Sequence, residues 1–126
     1  MIPYFKMTPV DKDYYDKYLR NRLPGELMDM HIHLNLPAHV KEVSEQSVNS
    51  DWALQAGYKL SYEEANLYLN VLFPDQEITL AACPLPIANA DIAGNNQYIS
   101  KLLSEGKIKY GFFSVRPEWN TEYIEH

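Results

Sequence analysis

The chain reads as an α/β protein on parallel strands, and three observations predict that class. Apolar segments of strand character at 26–35, 78–83 and 109–115 alternate with segments of helical periodicity. The middle one, Ile78-Thr79-Leu80-Ala81-Ala82-Cys83, is apolar almost throughout, as a strand covered by helices on both faces must be. The order of elements is strand, helical excursion, strand, helix, strand, helix start, a βαβαβ succession whose right-handed crossovers bring the strands together in parallel.

Each element has its own signals. Thr8 suits an N-cap, Pro9 the first helical position and Asp11 the positive helix end, which predicts a helix running to about Arg22. Tyr14, Tyr15, Tyr18 and Leu19 form an aromatic stripe at helical spacing, read as a packed face, and Leu23-Pro24-Gly25 turns the chain into the first strand. The long passage 35–57 reads as an inserted helical segment, two short helices broken near Asn49-Ser50 with Gly57 as a stop. It is more than one crossover needs. Such an insertion shapes a pocket over strand ends, and Trp52, Tyr58 and Tyr62 are its candidate lining, against a competing role as core aromatics. Ser61-Tyr62-Glu63-Glu64 is a capping box, followed by Ala65, Tyr68, Leu69 and Leu72 at i, i+3, i+4, i+7 up to Pro74.

Beyond the second strand, residues 91–96 read as a polar loop. Asn95 or Asn96 is then the cap of a helix carrying Ile99, Leu102 and Leu103 and ended by Gly106. The third strand, 109–115, delivers Arg116, and Asn120 or Thr121 caps a last helix. Arg116 is the candidate for binding a substrate carboxylate through its two-pronged guanidinium, with a surface or ion-paired arginine as the competing reading.

The chemistry concentrates in the first strand, Glu26-Leu27-Met28-Asp29-Met30-His31-Ile32-His33-Leu34-Asn35. Period-two alternation puts Asp29, His31 and His33 on one face, with the histidine Cα atoms about 6.6 Å apart at about 3.3 Å per residue. Two imidazoles so placed converge on one ion at bonds of about 2.0–2.1 Å, and Asp29 is the candidate carboxylate behind them, orienting a ring. His31 and His33 are therefore the predicted metal ligands. His39 lies close enough in sequence to join them, though a capping or solvated role suits it better, and Cys83 ends the second strand as either a neighbour of the site or a small core residue.

This Asp-x-His-x-His on an apolar strand resembles the first strand of the amidohydrolase superfamily, metal-dependent hydrolases on a (β/α)8 TIM barrel, and the run Gly111-Phe112-Phe113-Ser114-Val115-Arg116-Pro117 is similar to the family's third strand. The resemblance covers the chain from about Leu23 onward. It implies the first three β/α units of the barrel, a divalent metal, most often zinc, on His31 and His33, and hydrolysis of an amide, lactone or related bond of a small molecule, with decarboxylase and hydratase variants among relatives. A barrel takes about 250 residues and this chain has 126, so a single partial domain is expected, the amino-terminal part of such an enzyme, incomplete as a catalyst by itself. PHP phosphoesterases and TatD-type nucleases open with a similar strand. Here Leu34-Asn35-Leu36 follows His33 in place of the Ser-Asp-Gly usual in PHP domains, which favours the amidohydrolase reading over a phosphoesterase.

Composition excludes other classes. A formal net charge of −6 and no cluster of Lys or Arg argue against a nucleic-acid footprint. No apolar run is long enough to span a bilayer, a lone cysteine rules out an internal disulfide, and no signal peptide is evident, so a cytoplasmic protein off the membrane is expected. The remaining alternative is a non-catalytic α/β fragment that covers its unpaired strand edge with a second copy, a homo-oligomer.

Overall fold

A computed structural model of the chain describes residues 7–41, 43–51, 54–55 and 59–125. It is a mixed α/β structure with a three-stranded parallel sheet in the order β1-β2-β3, where β1 is Glu26–His33, β2 Glu77–Cys83 and β3 Tyr110–Gly111.

The amino-terminal helix is shorter than its periodicity predicts. Helix α1, Pro9–Tyr14, has the expected Thr8–Asp11 capping box, but a π turn over Tyr15–Leu19 replaces its continuation. Tyr15 alone is buried, its hydroxyl donating to Gln76 Oε1 at 2.6 Å, while Tyr14 and Tyr18 stay exposed against each other. The aromatic stripe is thus one anchor and two surface rings.

Strand β1 begins as predicted and pairs with β2 from Glu26↔Glu77 to His33↔Cys83. Between Asp29↔Leu80 and Ile32↔Ala82 the register shifts, so Met30 and His31 together stand opposite Ala81. This is a β-bulge, and it interrupts the strict alternation expected through 29, 31 and 33.

After β1 come a 3-10 turn at Pro37–His39 and helix α2, Glu45–Ser50, capped by Ser44. Residues 54–55 are helical again, so the break near 49–50 is observed. Trp52, Gly57 and Tyr58 lie outside the described residues. Helix α3, Tyr62–Leu72, has its predicted capping box, Glu64 N–H donating to Ser61 Oγ at 3.2 Å and Ser61 N–H to Glu64 Oε2 at 3.0 Å.

Helix α4 is Ile92–Ser104, four to five residues longer at its start than predicted. Its cap is Asp91, which accepts from Gly94 N–H at 3.0 Å, and not Asn95 or Asn96. Gly94 makes that cap possible, because a Cβ there would stand 2.5 Å from the Asp91 carboxylate. Gly106, at φ 69°, ends the helix region as anticipated.

Strand β3 falls short of the predicted 109–115. Past Gly111 only Phe112 N–H still reaches β2, at Ala82 O, 2.8 Å. From there a side chain stands in for a strand: the Asn96 amide accepts from Ser114 N–H at 3.1 Å and donates to Ser114 O at 2.8 Å. Gly111 lets α4 close on the sheet, since a Cβ would meet Ile99 Cγ2 at 3.0 Å. Helix α5, Thr121–Glu125, follows, with Asn120 Oδ1 accepting from Tyr123 N–H.

Two cores result. The main one packs Ile32, Leu34, Leu80 and Ala82 of the sheet region against Ala65 of α3 and Ile99 and Leu102 of α4, with Tyr62 and Tyr98 at its margin. Tyr62 therefore packs at the core's edge, and the hollow it lines lies beside Glu77, Lys107 and Lys109, apart from His31 and His33. The second gathers Leu54, Val40, Val43 and Val48 of the inserted segment with Leu85, Ile87, Ala90, Ile92 and Trp119. The insertion thus packs on the chain that leaves the carboxyl ends of β2 and β3, the side on which α/β sheets carry their sites.

A candidate metal centre at the ends of β1 and β2

His31 and His33 do converge. The bulge places two residues opposite Ala81, and His33 pairs with Cys83 one step further, while neighbouring Ile32 points into the main core. The Nε2 atoms of the two histidines stand 3.2 Å apart. Two nitrogens bound tetrahedrally to one ion at about 2.05 Å are about 3.3 Å apart, so the rings already hold the spacing of a shared cation.

The tautomer of His33 follows from its other nitrogen. Nδ1 lies 2.8 Å from Pro84 O, and a carbonyl only accepts, so Nδ1 carries the proton and the Nε2 lone pair faces His31. That is the arrangement by which a main-chain carbonyl orients a metal-binding imidazole. Pro84 supplies it because Pro84-Leu85-Pro86 stops β2 just past the site.

Asp29 does a different job from the one its spacing suggests. Its Oδ1 accepts from the main-chain N–H of His31 at 3.0 Å, which satisfies a donor within the bulge. It supports the loop of strand that carries His31, and the ring-orienting contact belongs to Pro84. Cys83 stands beside the pair, Sγ 3.3 Å from His33 Nδ1. Burial raises the Cys83 thiol pKa above its usual value, and the negative charge of Asp29 adds to the rise. Among the described residues, His31, His33 and Cys83 form a group able to hold a metal ion, their ligand atoms all within 4.8 Å of one another.

The other sequence candidates lie apart from this cluster. His39 is buried and caps the 3-10 turn, Nδ1 accepting from Leu36 N–H at 3.1 Å, with its ring against Tyr98. Burial lowers its pKa, opposed by the charge of Asp91. Arg116 spends Nη2 on the carbonyls of Ala90 at 2.6 Å and Ala88 at 3.2 Å, tying the loop after β2 to the end of β3. A groove of about 890 Å³ runs between the start of α4 and the 113–125 region, lined by Asn96, Phe113, Trp119 and Tyr123 but by none of the three metal-type donors.

Sequence reasoning missed two partners. The Pro84 carbonyl has no sequence signal, because every residue has a carbonyl. Asn96, read as a cap, clamps β3. Asn95 is fully buried, its Nδ2 donating to Leu34 O at 2.8 Å, while its Oδ1 has no protein partner among the described residues. No described helix is long and apolar enough to cross a membrane. No protein family, curated protein or solved structure matches the chain.

Proposed function

We propose that the chain carries the first-strand part of a divalent metal centre in an amidohydrolase-type hydrolase acting on a small molecule. The observation that carries this reading is the 3.2 Å separation of the His31 and His33 Nε2 atoms, with His33 already turned by Pro84 O. With His33 Nδ1 protonated, a hydrogen bond across the pair has His31 Nε2–H donating to the His33 lone pair; to hold a cation His31 would carry its proton on Nδ1 instead, leaving both Nε2 lone pairs for the ion. Imidazole donors favour zinc over magnesium or calcium. A cation so held supplies Lewis acidity, which polarises a carbonyl and eases proton loss from water. His31 is exposed, so the open side of the pair faces outward, where a substrate arrives.

A sheet in the order β1-β2-β3, all parallel, supports the first three units of a barrel as the parent architecture. Net charge and the lack of a basic cluster support a small-molecule substrate over nucleic acid. In this reading Arg116 steadies the 87–90 loop at the carboxyl side of the sheet, and only the part of its fork left free by those carbonyls is open to a substrate carboxylate. The setting is cytoplasmic and off the membrane.

Zinc content decides the metal claim. The wild-type chain, loaded and desalted, is expected to retain zinc, and His31→Ala and His33→Ala are each expected to lower its affinity by about tenfold or more. Unchanged stoichiometry in both variants overturns the reading. Release of phosphate from an aryl phosphate by the intact parent enzyme, with no lactone or amide turnover, transfers the centre to the phosphoesterase class.

A second reading has its own observation. Phe112, Phe113 and Val115 beyond β3 are 51%, 58% and 57% exposed, and Met30 is 61% exposed. That much apolar side chain at the rim of a three-stranded sheet suits association with a second copy.

A further inference from the structure

We infer that Cys83 is a third ligand of the same centre, which makes the site a His₂Cys donor set drawn from two adjacent strands. The inference rests on the metal reading of His31 and His33 and adds to it both a ligand and a class of metal. The histidine pair alone is short of the three protein ligands that an open zinc site ordinarily has. Within the described structure, Cys83 is the residue that supplies the next donor. It ends β2 directly opposite His33 in the strand register, so its Cα is held beside the histidine by main-chain pairing and not by a loop. Its Sγ is 3.3 Å from His33 Nδ1, the nitrogen that faces Pro84 O, and its other contact, to Ile32 O at 3.7 Å, is a long, weak thiol bond that leaves the sulfur free to turn.

A sulfur and a nitrogen bound tetrahedrally to one zinc, at about 2.3 and 2.05 Å, lie about 3.6 Å apart. The three ligand atoms fall within 4.8 Å of one another, and closing the set needs the Cys83 side-chain torsion to swing Sγ away from His33 Nδ1 toward the Nε2 side of the ring, a change of rotamer. As the metal–sulfur bond forms, the thiol proton passes to solvent. Nothing is oxidised or reduced. A thiolate beside two imidazoles selects zinc, cobalt or cadmium and rejects magnesium and manganese, which an all-oxygen site prefers.

Cobalt(II) titration of the intact, reduced chain under anaerobic conditions tests this, because sulfur ligation has its own optical signature. The wild type is expected to show visible ligand-field bands together with a near-ultraviolet sulfur-to-cobalt charge-transfer band. Cys83→Ser is expected to lose the near-ultraviolet band, keep visible bands and bind about 10- to 100-fold more weakly. Visible bands without the charge-transfer band in the wild type overturn the Cys83 assignment and leave the histidine pair standing. A charge-transfer band that survives in the His31→Ala/His33→Ala variant also overturns it, since the thiol then binds cobalt without the centre. Absence of any cobalt spectrum in the wild type overturns both readings. The wild-type spectrum decides even if Cys83→Ser fails to fold.

Discussion

His39 illustrates how one residue type serves two purposes within nine positions of the chain. At 31 and 33 the imidazoles turn Nε2 toward each other, whereas His39 turns Nδ1 onto the Leu36 amide and is buried against Tyr98. Burial favours the neutral ring, so the folded pKa lies below the unfolded value of about 6.5. The unfolded chain therefore takes up a proton first as pH falls. The stability His39 contributes is present above about pH 6.5 and is lost as pH drops through that value toward the folded pKa. Asp91 faces the ring and moderates the effect. Urea midpoints measured from pH 7.5 down to 5.5 are expected to fall for the wild type and to fall less steeply for His39→Gln; parallel slopes contradict the assignment.

Among the elements, those defined by local chemistry were legible and those defined by neighbours were not. The capping boxes at Thr8–Asp11 and Ser61–Glu64 involve residues three apart, and both formed as read. The strand carrying His31 and His33 was legible for the same reason, since alternation is local. Its bulge was not, because the extra residue exists only relative to β2. Strand β3 shows the limit most clearly: 110–115 has one propensity throughout, yet pairing stops after Gly111 and Asn96 takes over at Ser114. The start of α4 was misplaced because Asp91, Asn95 and Asn96 are all capable caps, and tertiary contacts to Leu34 and Ser114 claim the two asparagines. Gly111 tests the α4–β3 contact. A Cβ 3.0 Å from Ile99 Cγ2 is closer than ordinary packing, so the Ile99 side chain or its helix has to give way, and Gly111→Ala is expected to destabilise the fold by about 1–3 kcal/mol, seen as a lower urea midpoint at unchanged slope. An unchanged midpoint means the helix already has room to move.

At the scale of the whole molecule, the helix-covered side of the sheet is finished and its rim is not. Ile99, Leu102 and Ala65 seal one side, while Phe112, Phe113, Val115 and Met30 remain exposed. If the rim drives association, sedimentation velocity is expected to show a concentration-dependent dimer or larger species, and Phe113→Lys to shift it toward monomer. A clean wild-type monomer at every concentration removes the self-association reading and leaves the proposed metal centre untouched. The pairing Glu26↔Glu77 through His33↔Cys83 carries one more consequence, in time rather than space. Strand β1 finds its partner about 50 residues later in the chain. At a synthesis rate of about 5–20 residues per second, the nascent chain spends about 3–10 seconds with the histidine strand made and its partner still missing. Until Cys83 emerges, the donors of the proposed metal centre belong to two separate stretches of growing polypeptide, and His31, His33 and Cys83 come together only when the second strand closes that long loop.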